Sequence, residues 1–212
     1  MARLRHQELK TFSEALLELY SPGPYSDFPD RVSAILRRCL SFELLSYHEI
    51  VDNQNQRALC YPDTPFDMQA FEAYLDQHPT WNAFTRDHME SSVKISDFLT
   101  RNEWERTDLY NYIFRPFALR NQLAFITLGE QPQLGLSVNR TRRDFSEEER
   151  GILNLLKPHF TQAFSASQLF SHFSDAAQGF TEGYLVADGM GRIRFCTAKA
   201  ARSLRFRRPS IA

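Results

Sequence analysis

Cysteine is scarce in this sequence and nothing pairs it: Cys39, Cys60 and Cys196 lie far apart, with no Cys-x-x-Cys and no histidine cluster beside them. That argues against a zinc ribbon or a disulfide framework and fits a reduced, cytoplasmic setting. Long apolar runs are missing as well. No stretch approaches the roughly 18 apolar residues of a membrane span, and MARLRHQELKTF at the start has no signal core, so no membrane role is expected. The eight glycines form no phosphate-cradling loop, and Gly189-Met190-Gly191 reads as a hairpin turn. There is no Gly-x-Ser-x-Gly elbow, and the six histidines never pair at metal-ligand spacing. An enzyme is therefore the least favoured class, and the sequence requires no cofactor and identifies none.

An excess of charge of either sign is missing, the net charge being −1, which speaks against electrostatic nucleic-acid binding by the chain as a whole. The distribution is uneven. Residues 189–212 hold seven Lys or Arg and no acid, leaving 18 basic against 26 acidic side chains before them. That basic end reads as a solvated tail or a nucleic-acid arm, the tail being the commoner case. What the chain has in quantity is core material: 42% hydrophobic residues, with 18 phenylalanines.

The stretch from Val93 to Phe160 organises the rest. Leu123–Leu128 and Leu134–Val138 are strand runs separated by Gly129, Glu130, Gln131 and Pro132, an interval suited to an antiparallel hairpin. Ser146 and Glu149 form a capping box that opens a long helix. Leu153, Leu156, Phe160, Ala163, Ser167 and Phe170 then recur in steps of three and four on one face. Pro158 is expected to kink that helix. The distal stripe, Phe160, Ala163, Phe164, Ser167 and Phe170, is the candidate homodimer interface.

Upstream, Leu4 to Leu19 and Asp27 to Cys39 have helical spacing. Leu44–Val51 and Arg57–Tyr61 form a second hairpin around Asp52-Asn53-Gln54-Asn55-Gln56. Thr64-Pro65 signals a helix running to about Gln77, stopped by Pro79, and Trp81 to His88 adds a further turn or two. Val93–Ile95 is a short strand, Thr100 and Glu103 a second capping box, and Tyr110 to Phe114 a helix ended before Pro116. The reading is an α+β domain. An antiparallel sheet of about five or six strands carries the terminal helices on one face and a helical insertion over the other.

Asp97, just past a strand end, has two readings: an anchor for a polar group of a small ligand, or a cap on the strand-to-helix turn. The candidate ligand-binding set is Tyr47, Trp81, Phe84, Asp97, Trp104, Tyr110 and Phe114. Its aromatics are expected first of all as core, with a pocket between those elements as the other reading.

Asn139-Arg140 followed by Phe145-Ser146-Glu147-Glu148-Glu149 and a leucine-rich helix resembles the close of a GAF domain. Lys94-Ile95-Ser96-Asp97-Phe98, Tyr110-Asn111-Tyr112-Ile113-Phe114-Arg115-Pro116 and Leu136-Ser137-Val138-Asn139-Arg140 resemble the GAF-like sensory regions of bacterial LuxR-type helix-turn-helix transcriptional regulators. The resemblance implies a GAF-like sensory domain over 1–175, a PAS-like linker hairpin and helix start over 176–204, and a basic tail over 205–212. A helix-turn-helix would be expected next, so the chain reads as a truncated regulator that binds DNA only if that domain is restored. Arg140 and Glu149, with Asn139 and Phe145, form an expected structural latch between the last strand and the closing helix. Arg150 departs from the cyclic-nucleotide signature of GAF domains. The implied function is sensing of an unknown small molecule or partner, with the signal passed on through the C-terminal helix of a homodimer. A stand-alone small-molecule-binding module without DNA binding is the alternative.

Overall fold

The computed structural model describes residues 6–21, 23–52, 54–127, 132–178, 183–187 and 189–205. Helices α1 (His6–Leu19) and α2 (Phe28–Cys39) lead into strands β1 (Leu44–Val51) and β2 (Gln54–Tyr61). An insertion follows, with α3 (Met68–Ala73), α4 (Pro79–Thr85), β3 (Val93–Lys94), α5 (Arg101–Trp104) and a π-helical turn at Tyr110–Phe114. The pair β4 (Asn121–Ile126) and β5 (Gln133–Arg140) precedes the 32-residue α6 (Glu147–Gln178). Then come β6 (Leu185–Ala187), β7 (Ile193–Cys196) and α7 (Ala198–Arg205). The expected loop at Gly129–Gln131 and the basic tail beyond Arg205 lie outside the described residues.

The sheet is antiparallel throughout, in the order β2-β1-β5-β4-β3. Because side chains alternate across a strand, each strand supplies two different surfaces. One surface carries Leu45, Tyr47, Leu123, Phe125, Leu134, Leu136 and Val138, all buried against α1, α2 and α6. There Phe160 of α6 stacks on Phe125, with ring centroids 6.4 Å apart, and Phe164 packs on Phe28 at 5.6 Å. The insertion lies over the opposite surface. It builds a second core from Leu44, Ile95, Trp104, Leu109, Tyr110, Ile113, Phe114 and Leu119.

Several elements differ from the sequence expectation. The five-residue polar loop after β1 contracts, because β2 already begins at Gln54 and Asp52 takes a positive φ of 49° to make the turn. The helix expected from Thr64 starts at Met68 instead. Asp67 accepts the Ala70 N–H at 2.9 Å and so wins the capping position, while the Thr64 hydroxyl donates to the Pro62 carbonyl. Pro79 both stops one segment and opens α4 at its first turn. Helix α6 is continuous from Glu147 to Gln178 with Pro158 inside it, where the sequence expects a kink and not an end. Among the described residues no helix is long and apolar enough to cross a membrane.

Candidate functional site

Between the sheet and the insertion lies a cavity of about 490 Å³. Its existence follows from the register of the strands. The surface facing the insertion presents three rows of side chains: Leu44, Asn139 and Gln122; Cys60, Ser46, Ser137 and Ala124; Ala58, His48, Gly135 and Ile126. Most of these are small, so they cannot fill the space that the large residues of the other surface fill against the helices. The roof is apolar. Phe66 and Phe117 pack at 4.6 Å, Phe71 of α3 hangs over the floor, and Ile113, Phe114 and Leu119 close one side.

Thr80, Gln122 and Asn139 are joined into one buried ladder. Thr80 Oγ1 donates to Gln122 Oε1 at 2.7 Å, and Gln122 Nε2 donates to Asn139 Oδ1 at 3.1 Å. His78 caps α4 by accepting the Trp81 N–H on Nδ1 at 3.4 Å, with Thr80 Oγ1 3.2 Å away. Acceptance at Nδ1 leaves the proton of the neutral ring on Nε2. Burial, assisted by the nearby His48, pulls the His78 pKa from 6.5 down to about 3. The ladder is therefore uncharged near neutrality. Cys60 is also uncharged there: burial pushes its thiol pKa up, against the opposing hydrogen bond from Ser46, and the thiolate that would act as a nucleophile is disfavoured. Among the described residues no group of three or more His, Cys, Asp or Glu is placed to hold a metal ion.

The residues singled out in the sequence are dispersed by the fold. Phe114 lines the cavity. Trp81 and Phe84 line a smaller one of about 50 Å³ that shares His48, Phe71, His78, Gln122 and Ser137 with it. Trp104 stands behind Phe114, at 5.0 Å edge to face, with Tyr110 beyond it at 5.6 Å. Tyr47 belongs to the other surface of the sheet, against α2, because strand alternation places it opposite Ser46 and His48; its hydroxyl donates to Glu49 Oε1 at 3.0 Å. Burial, with Glu49 adjacent, raises the Tyr47 pKa well above its ordinary value. Asp97 is not at the cavity. Its Oδ2 accepts the Lys94 N–H at 2.8 Å and its Oδ1 accepts Arg150 Nη2 at 2.5 Å, so it caps the turn and holds the first turn of α6.

The closing elements are likewise resorted. Arg140 Nη2 donates to Glu149 Oε1 at 2.6 Å and Nη1 to Oε2 at 3.3 Å, while Nε donates to the Ser41 carbonyl at 3.0 Å. The guanidinium lies 4.1 Å from the Phe145 ring centroid. Burial works against ionisation of Glu149, but the hydrogen bonds from Arg140 and Ser146 outweigh it and hold the carboxyl below its ordinary range. Asn139 takes no part in this contact; it faces the cavity. The dimer stripe requires a correction. Phe160, Ala163 and Phe164 are buried within their own domain, Ser167 lies 3.5 Å from Arg31 Nη2, and Phe170 packs edge-on against Phe195 of β7. The helix spends that face on its own chain, since the sheet and the terminal hairpin together are long enough to cover it.

Sequence reasoning missed the ladder and the floor. The available trace was Ser46 and His48 on β1 with Gly135, Ser137 and Asn139 on β5, small or polar residues at every second position on the surface that an apolar insertion must cover.

No family model matches this sequence, and no curated protein matches it. Solved structures do resemble the fold. The ligand-binding domain of VqsR from Pseudomonas aeruginosa aligns at a TM-score of 0.56 and 16% identity, over 78% of this chain and 99% of that one. CepR2 from Burkholderia cenocepacia, described as an N-acylhomoserine lactone dependent LuxR family transcription factor, aligns at 0.51 and 11%, over 80% and 99%. The GAF domain of an Acinetobacter phosphoenolpyruvate-protein phosphotransferase aligns at 0.52 and 16%, over 80% and 99%. At such identities the likeness is one of fold, and the fold is GAF-like.

Proposed function

We propose that this chain is the sensory region of a bacterial transcription regulator and that it binds an uncharged, largely apolar small molecule in the cavity between sheet and insertion. The observation that carries this reading is the cavity itself: about 490 Å³, with an apolar roof and a buried, neutral hydrogen-bonding ladder at its floor. Binding sites of this kind are mostly apolar and owe their selectivity to a few fixed polar groups. A free cyclic nucleotide would bring a phosphate charge to a cavity lined by no Lys or Arg. Anionic ligands are thereby disfavoured. Resemblance to sensory domains of LuxR-type regulators, one of them described as N-acylhomoserine lactone dependent, supports the regulator context. A stand-alone binding module is the second reading, supported by the GAF domain of a protein that is no transcription factor.

Ser137 sits in the middle row of the floor, so Ser137→Phe should fill the cavity from below. In a thermal-shift screen with N-acylhomoserine lactones of graded chain length and neutral fatty amides, at least one probe is expected to raise the melting temperature of the native chain and leave that of Ser137→Phe unmoved. A variant that responds as strongly as the native chain would place the ligand elsewhere.

A further inference from the structure

Among the described residues, the buried N–H donors without a hydrogen-bond partner include the indole Nε1 of Trp104 and the amide Nδ2 of Asn121, which lie close together in the fold, as well as Arg31 Nε and Arg150 Nε elsewhere. Trp104 is only 2% exposed. Leaving such a donor unsatisfied is costly, and buried orphans in folded proteins ordinarily mark a bound water or ligand. Trp104 and Asn121 line one second cavity of about 290 Å³, separate from the sensory cavity, where the β3–α5 turn meets the start of β4 and the loop after β5.

The charges around that cavity are mostly of one sign. Arg101, Arg120 and Arg142 line it, together with Ser96 and Asp144. The carboxylate of Asp144 is already engaged, accepting Ser96 Oγ at 2.6 Å and the Phe145 N–H at 2.8 Å. Glu105 offsets part of the positive charge through Arg101 at 2.8 Å and Arg120 at 4.0 Å. Arg142 is exposed and has no ion-pair partner among the described residues. The cavity thus offers donors and cations and little free acceptor capacity, which is the complement of a small anion with several acceptor oxygens.

We propose that this second cavity binds a compact oxyanion, a phosphate or carboxylate group, with Trp104 Nε1 and Asn121 Nδ2 donating to its oxygens and the three arginines balancing its charge. The site needs no occupant in the sensory cavity and is independent of the reading given above.

The sequence holds two tryptophans, so Trp81→Phe identifies the indole N–H resonance of Trp104 in a nitrogen-15-labelled full-length chain. Sodium phosphate, sodium malonate and sodium chloride are titrated separately at matched ionic strength. The Trp104 indole resonance is expected to move and saturate with phosphate, with malonate or with both, and to stay in place with chloride. Saturation by one alone assigns the anion class. Arg120→Gln and Arg142→Gln should each weaken the apparent affinity severalfold while leaving the melting temperature of the anion-free chain unchanged. An indole resonance that ignores both oxyanions, follows chloride equally, or keeps its affinity in both arginine variants overturns the proposal and leaves a cavity filled with solvent only.

Discussion

His78 shows how one side chain can be structural and pH-sensitive together. Its ring is buried, caps α4 and touches the Thr80–Gln122–Asn139 ladder, and its pKa falls from 6.5 to about 3. Above pH 6.5 the ring is neutral in folded and unfolded chains and contributes no pH dependence. Below it the unfolded chain takes up a proton that the folded chain refuses until about pH 3, so stability falls as pH drops through that window, by up to about 1.4 kcal/mol per unit. His78→Gln should flatten this part of the curve. Urea midpoints measured across that window for both chains give the answer, and an unchanged slope would mean that other groups set it. The sequence placed His78 at an element boundary because Pro79 follows, but burial of its ring depends on Phe71 and Phe114, 7 and 36 positions away in the chain and 6.0 and 5.8 Å away in the fold. Asp97 was readable in the opposite sense. Its capping role is a local matter of three residues, from the Lys94 N–H to the Asp97 carboxylate, and could be weighed from the strand-to-helix turn, whereas its partner Arg150 could not.

Helix α6 illustrates what periodicity gives and withholds. Steps of three and four mark an amphipathic helix, and Ser146 and Glu149 mark its start, with reciprocal bonds at 3.2 and 2.8 Å. Which stripe faces the sheet depends on contacts made far away in sequence. The buried stripe holds Leu153, Leu156, Phe160, Ala163 and Phe164. A second stripe, Leu155, His159, Gln162, Ala166, Leu169 and Phe173, repeats in steps of four and three and lies largely exposed, Leu169 at 70% and Leu155 at 50%. A 3.5-residue repeat of this kind suits two helices packed side by side. The expectation of a homodimer therefore moves to this stripe. Burial of Leu169 at a helix pair would contribute about 1.5–3 kcal/mol per side chain. Leu169→Glu should shift a dimer towards monomer in sedimentation at micromolar concentration with far-UV circular dichroism unchanged, while Phe164→Glu, which places a charge in the core, should unfold the chain. A native chain that sediments as a monomer would remove the dimer.

At the scale of the whole molecule, a five-stranded sheet separates the cavity from the long helix, so any signal has to cross it. Strand β5 offers a direct route, because Asn139 faces the cavity and holds Gln122 while its neighbour Arg140 faces the other side and grips Glu149 in the first turn of α6. The layered α+β architecture was legible from the order of hairpins and helices. This back-to-back pair was not, since Asn139 and Arg140 looked like two halves of one latch until strand alternation set them on opposite surfaces. The Arg140–Glu149 pair is nearly buried, with side chains 7% and 16% exposed, and removing one partner of a buried pair costs about 3 kcal/mol. Arg140→Gln is therefore expected to destabilise the chain by roughly that much in urea unfolding. It should also uncouple the two surfaces. In the native chain a ligand seated on Asn139 is expected to slow amide hydrogen exchange in the first turns of α6. In Arg140→Gln, ligand affinity should persist and that protection should vanish, because the cavity floor keeps its residues while the helix loses its grip on the strand. Equal ligand-induced protection of α6 in both chains would show that the signal crosses the sheet by another path.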